Sequence, residues 1–272
     1  MGIAREAAPE IDRLVLFVRN LGPERNGELT ELARELGLET LELLPHFADF
    51  LLAGVLTSEL AIRRMPYSPP NKVLDRLVEL QEKNLITQGE NGFAATSTMR
   101  PLLEALLAAH GEVAAKAWGG YDEDVAIATD LAGKVRDAAS IDHLVAVGHR
   151  MLPEPTEPSH RLAHRLLTVR YIRQHDHVAA WLARGLTAPD IVLMTELWLN
   201  NPPAVPKNEP ARLLELGFVE TDPVRLTASG REAREAIEAE TNERAQKAFD
   251  VLDGQEETRF LAALRNLPGT RP

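Results

Sequence analysis

Four residues within one stretch of this chain have the types and spacing to hold an anion. Arg170, Arg173 and His177 are three and four apart, so on a helix their side chains converge. Two guanidiniums and an imidazole suit a carboxylate, a phosphate or an enolate-like ligand. His164, one stretch upstream, joins them as a candidate ligand-binding residue. At about 100° per residue, Arg170, Arg173 and His177 share a side with Leu162, Leu166 and Val169. A charge placed there needs a partner, either a bound ligand or a protein carboxylate such as Asp130, Asp137 or Asp142. On roughly the opposite side lie His160, His164, Thr168, Tyr171 and His175, which read as a polar, solvent-facing stripe. His160 and His164 have the four-residue spacing of a metal site. Only Glu157 and Asp176 lie nearby as further donors, so no metal is assigned.

A second set could meet nucleic acid. Arg63, Arg64, Lys72, Arg76 and Lys83 flank a helix expected over residues 69–84, with Asn71 and Gln81 as candidate base readers. The DNA-binding assignment rests on Arg63, Arg64, Asn71, Lys72 and Arg76. Asp75, Glu79 and Glu82 make the same helix neutral, so a plain solvated face is the competing reading. Catalytic signatures are missing: there is no phosphate-cradling Gly loop, no GxSxG elbow, no dinucleotide fingerprint and no HExxH. No catalytic residue and no cofactor are assigned.

The elements that must position these residues are mostly helices. Residues 159–187 read as one long helix, with Ser159 as its cap and Gly185 at its end. Upstream, helices are expected over 9–20, 27–36 and 40–55, with a short one capped by Thr57 and another opened by Ser68 and Pro69. Strands over 85–88 and 93–96 flank a tight turn at 89–92, and a helix follows to Trp118. That order is a winged helix, a variant of the helix-turn-helix. Helices over 122–138 and 140–151 lead to a Pro-rich linker at 153–158.

The second half repeats the first at offsets of 130 to 136 residues: Thr57 with Thr187, Arg76 with Arg212, Leu85 with Phe218, Thr96 with Thr227. In the second copy, Pro202, Pro203, Pro206 and Pro210 occupy the place of the groove-reading helix and forbid a continuous one. The fold expected is mainly α: two winged-helix-like domains in tandem, the second degenerate, with small β-wings. Their bounds are 1–152 and 159–272, separated by the linker.

The pattern His164, Arg170, Arg173, His177, then Val178-Ala179-Ala180 and Gly185-Leu186, resembles the SalK-like family of actinobacterial proteins. The resemblance continues to the C-terminus and covers about the last 110 residues. It implies likeness to helix-turn-helix regulators and brings little chemistry of its own. Residues 226–231 and the helix after them resemble MarR-type regulators, in which terminal helices pair two subunits. Phe260, Leu261, Leu264 and Leu267 then form an apolar stripe suited to a homodimer contact.

Bulk properties narrow the class. A chain of 272 residues with 44% hydrophobic residues and no Cys fits a folded protein of a reducing cytoplasm, free of disulfides and thiolate metal sites. Its start lacks the pattern of a signal peptide, and no apolar run is long enough for a membrane span. A net charge of -11 opposes nonspecific affinity for nucleic acid but allows a local basic face. The leading expectation is a ligand-responsive winged-helix transcriptional regulator that meets double-stranded DNA through its first half and holds a small anion. The alternative is a winged-helix ligand-binding or interaction protein without DNA binding. An enzyme with an Arg/His pocket comes third.

Overall fold

The computed structural model describes residues 2–20, 23–201 and 210–269. Helices α1 (Ile3–Arg19), α2 (Pro23–Glu35), α3 (Leu44–Ala53), α4 (Ser58–Arg64) and α5 (Pro70–Glu82) precede a hairpin of β1 (Ile86–Gly89) and β2 (Gly92–Ala95). Then come α6 (Arg100–Trp118), α7 (Asp122–Asp137), α8 (Leu144–Arg150) and α9 (Pro158–Leu182). The last part holds α10 (Ala188–Trp198), α11 (Ala211–Glu215), β3 (Val219–Thr221), β4 (Val224–Leu226), α12 (Ala228–Phe249) and α13 (Gly254–Asn266). Among the described residues the protein is mainly helical, with two small antiparallel sheets.

Local chemistry sets these boundaries. Thr57 caps α4, its hydroxyl accepting from the Leu60 amide at 3.0 Å. Pro69 and not Ser68 stands at the cap of α5. β1 and β2 pair from Ile86 with Ala95 to Gly89 with Gly92. The Phe93 amide donates to the Leu56 carbonyl at 2.8 Å, which ties the hairpin to the start of α4. Gly92 is at φ 137°, and a Cβ there would lie 2.8 Å from the Leu56 backbone, so the close approach needs glycine. Downstream, Thr187 and Asp190 form a capping box on α10, and Thr227 caps α12 through the Gly230 amide.

Several helices depart from the sequence expectation: α2 begins at Pro23 and not at 27, and α8 at Leu144 and not at 140. α1 begins at Ile3 and runs through Pro9, because Ile3, Ala4 and Ala7 are buried and the Ala4 amide donates to Gln246 Oε1 at 3.0 Å. α3 starts only at Leu44, where Pro45 occupies the first turn. α9 is capped by Glu157, whose carboxylate accepts from the amides of Ser159 (3.0 Å) and His160 (2.6 Å). Of the prolines expected to break the second copy, Pro202, Pro203 and Pro206 lie outside the described residues. Pro210 caps α11, which has five residues.

Two apolar clusters form the interior. One runs from Ile3 to Ile172 and takes in Ala245, Phe249, Phe260, Leu264 and Leu267. The other joins Ala180, Trp181, Leu186, Ile191, Met194, Leu213, Val219 and Ile237. α9 therefore belongs to both, its first two thirds packed with α6, α7 and α8 and its end with α10 and α12. The apolar stripe of α13 is covered within the chain: Phe260 and Leu264 are fully buried and Leu267 nearly so. Arg13 fastens that helix end, donating to the carbonyls of Leu267 (2.8 Å) and Leu264 (2.7 Å). The stripe expected to reach a second subunit is thus used inside one.

Candidate functional site

α9 is buried on nearly every side, and this changes the reading of both its polar stripes. The stripe expected in solvent is inside: His164, Thr168 and Tyr171 are buried. Arg170 and Arg173, expected at the core, are half-buried at the wall of a cavity of about 250 Å³. Asp12, His46, Arg64, Tyr67, Gln174 and His177 complete most of that wall. Three of the four expected ligand residues therefore meet in one pocket.

Arg170 Nε donates to Asp12 Oδ1 at 2.6 Å. Arg173 pairs with Glu238 on α12, and not with an acid of the first half as the sequence suggested. Glu238 also accepts from Arg234 Nη1 at 3.1 Å, and burial opposed by Arg173 and Arg234 leaves its carboxyl below its ordinary pKa. Thr241 Oγ1 donates to the Ile237 carbonyl at 2.7 Å, so His177 Nδ1, 3.1 Å from that oxygen, must be the donor between them. Burial, reinforced by Arg234 and Arg173, lowers His177 to about 4. At neutral pH its Nε2 is then a bare acceptor.

Arg64 enters this pocket as a correction. It was expected at a DNA groove, but it is only 4% exposed. α4 buries Ala61 and Arg64, three apart on one face, and leaves Arg63 outside. The Arg64 guanidinium carbon lies 4.3 Å from the centroid of the Tyr171 ring. Its Nη2 is 3.0 Å from His46 Nδ1, and Arg19 Nη2 is 3.4 Å from the same nitrogen. Both guanidiniums can only donate, so His46 Nδ1 carries no proton. Burial, then Arg64 and Arg19, lower His46 to about 2.

His164 lies apart from these residues. It stacks on His149, ring centroids 4.1 Å apart, beside a cavity of about 30 Å³ lined also by Asp49, His110 and His160. Thr168 Oγ1 donates to the His164 carbonyl at 3.1 Å and lies 2.7 Å from His149 Nδ1. His149 Nε2 is 3.6 Å from Asp49 Oδ2. Burial lowers His164 and His110 to about 3 each. Burial opposes ionisation of Asp49, but the neighbouring His149 ring holds the carboxyl below the usual range.

His143, His175 and Asp176, a group the sequence reading passed over, bring donor atoms within 4.8 Å of one another. The Ser140 amide donates to His143 Nδ1 at 3.0 Å. The ring proton is therefore on Nε2, which donates to Asp176 Oδ1 at 3.2 Å and is not free to ligate a metal. The arrangement joins α9 to the start of α8.

Of the remaining candidate DNA residues, Arg63, Asn71 and Lys72 are at the surface, whereas the Arg76 side chain, expected at the groove, is only 10% exposed; each basic one has an acidic partner. Arg63 pairs with Glu59 at 3.0 Å and Lys72 with Glu42 at 2.6 Å. Arg76 reaches Glu79 at 2.5 Å and donates to the Thr40 carbonyl at 2.8 Å. Asn71 is exposed in the first turn of α5.

Among the described residues, no helix is long and apolar enough to cross a membrane. Comparisons with curated proteins and with solved structures found no match. A model described as a helix-turn-helix family matches residues 81–270, from the last turn of α5 through α13. That span is well over half of the chain, and the protein belongs to this helix-turn-helix family.

Proposed function

We propose that this chain is a ligand-responsive transcriptional regulator, built as a tandem of winged helices within residues 1–152 and 159–272, that meets DNA through the first. The carrying observation is the join between α4 and α5. Met65, Pro66 and Tyr67 of that turn also wall the cationic pocket, so one short segment belongs to both the pocket and the helix pair. α5 presents Asn71 and Lys72 to solvent and is continuous, whereas α11 has five residues. Arg170, Arg173 and His177 are the pocket's ligand residues in this reading, with Arg64 added and His164 left out. The SalK-like and MarR-type resemblances fit the same class. A homodimer would have to use a surface other than the buried stripe of α13.

The test is duplex binding across a salt series. Arg63→Ala with Lys72→Ala should weaken binding and reduce the salt slope by about one per lost phosphate contact. Arg212→Ala with Arg225→Ala, in the second unit, should leave both unchanged. The opposite pattern would move the DNA contact to the second unit, which the family match covers up to residue 270.

One observation favours a second reading, a ligand-binding or interaction protein without DNA contact. Arg63, Lys72 and Arg76 are all paired with acids of the chain itself, whose net charge is -11. If the unmodified protein shows no salt-dependent affinity for any duplex, this second reading stands.

A further inference from the structure

The charges around the cationic pocket do not balance. Arg170 has Asp12, and Arg173 has Glu238. Arg64 forms no ion pair with a carboxylate among the described residues. It is buried, its Nε has no hydrogen-bond partner, and its neighbours are the Tyr171 ring and the His46 ring it shares with Arg19. A guanidinium out of water without an anion is strongly unfavourable. Glu238 is shared with Arg234, which adds to the positive excess. Among the described residues, Arg64 alone of the three wall arginines lacks a carboxylate, and one negative charge would match it. A carboxylate supplies one, whereas a phosphate group brings between 1.5 and 2 at neutral pH, roughly. The cavity of about 250 Å³ has Met65, Pro66 and Tyr67 as the less polar part of its wall, which suits a compact organic body.

Arg64 is also the last residue of α4, and the three wall residues after it are the turn into α5. From α9, Gln174 Nε2 donates to the Arg64 carbonyl at 3.2 Å, so the turn is already tied to the helix that carries Arg170 and Arg173. An anion on Arg64 would draw on the same segment.

We propose that the pocket takes a small organic monocarboxylate on Arg64, and that occupancy fixes the turn between α4 and α5, so that ligand and α5 are coupled through residues 64–69. This rests on the reading above that the pocket is a ligand site. Arg64 is the anchor, and the ion-paired Arg170 and Arg173 shape the wall.

The experiment uses the full chain and benzoate, with benzamide and inorganic phosphate as the uncharged and the more highly charged comparisons. Two readouts are taken: thermal melting, and hydrogen exchange of peptides spanning residues 62–72. Benzoate is expected to raise the melting temperature, with benzamide and phosphate giving less or nothing. Arg64→Met should weaken benzoate roughly 10- to 100-fold, the loss of one charge-assisted pair. It should melt no lower than wild type without ligand. Benzoate should slow exchange across 65–72 in wild type and not in the variant. If Arg64→Met does not fold, Arg64→Lys keeps the charge without the planar fork and should show a smaller loss of the same kind. Benzoate binding that survives Arg64→Met, or phosphate stabilising more than benzoate, overturns the anchor. Binding with unchanged exchange at 65–72 overturns the coupling and leaves the pocket as a ligand site. If no anion, benzoate and phosphate included, shifts the melt, the ligand-site reading fails with it.

Discussion

Arg173 of α9 and Glu238 of α12 pair across the seam between the two apolar clusters. Each is about three-quarters buried, and Glu238 holds a second guanidinium, Arg234, on the same helix. The pair sits beside His177 and Thr241, whose hydrogen bond crosses the same seam. Two polar links thus fix how the long helices α9 and α12 face each other, next to the wall of the cationic pocket.

Arg173→Met should therefore destabilise the ligand-free protein, by about 1–2 kcal/mol. The value is below that of a fully buried pair, because the site is partly solvated and Arg234 still serves the carboxylate. Chemical denaturation of the variant beside Arg64→Met checks this. Equal losses, or none for Arg173→Met, would contradict the distinction between the paired and unpaired arginine.

Acid should unfold this protein early. His110 and His164 sit at about 3 and His177 at about 4, all lowered first by burial from 6.5. The unfolded chain takes up protons as pH falls through 6.5 and the folded chain does not. Their contribution is present above 6.5 and is lost as pH falls toward the folded values. Each such His removes about 1.4 kcal/mol per pH unit within that window. Urea midpoints should drop steadily from pH 7 to pH 5; a flat profile would mean these rings are not held neutral.

Phe260→Ala should cost about 3–5 kcal/mol, as expected for a large side chain removed from a packed interior. Phe260 is fully buried and its ring lies 6.5 Å from that of Phe249. Sedimentation of the variant, where it remains folded, should show the association state of the wild type. A change in association would restore α13 as a subunit contact.

Gly92→Ala should loosen the first hairpin. The new Cβ would meet the Leu56 backbone at 2.8 Å, at a φ of 137° that side chains rarely adopt. Faster hydrogen exchange in residues 86–95, with α6 unchanged, is the expected signature. Full protection of the hairpin would mean that the strand shifts to accept the methyl group.

Much of the scaffold was legible because its signals are local. Thr57 before a short helix, Pro69 before α5 and glycines 89 and 92 at the facing ends of two strands each act within four residues. The pocket was half legible for the same reason: Arg170, Arg173 and His177 lie on neighbouring turns of one helix. What completes it comes from far away in the chain. Asp12 and Glu238 reach α9 from opposite ends of the sequence, and no spacing rule links them. Arg63 and Arg64 look alike as a basic pair. Only the burial of α4 against its neighbours turns one outward and the other inward. The α13 stripe announced that it would be covered but not by what, since apolar periodicity is the same against α7 or against a second chain.

The fastening of α13 by Arg13 has a consequence for how the molecule is made. Synthesis delivers α1 well before its partners in α12 and α13, and the Ala4 amide and Arg13 guanidinium find Gln246, Leu264 and Leu267 only after those helices emerge. Until α12 and α13 have been made, the buried face of α1 lacks part of its cover, and the seam that Arg173 and Glu238 close is open. A nascent chain stalled before residue 245 therefore exposes apolar surface on α1. The covering of α1 thus waits on helices made more than 200 residues after it.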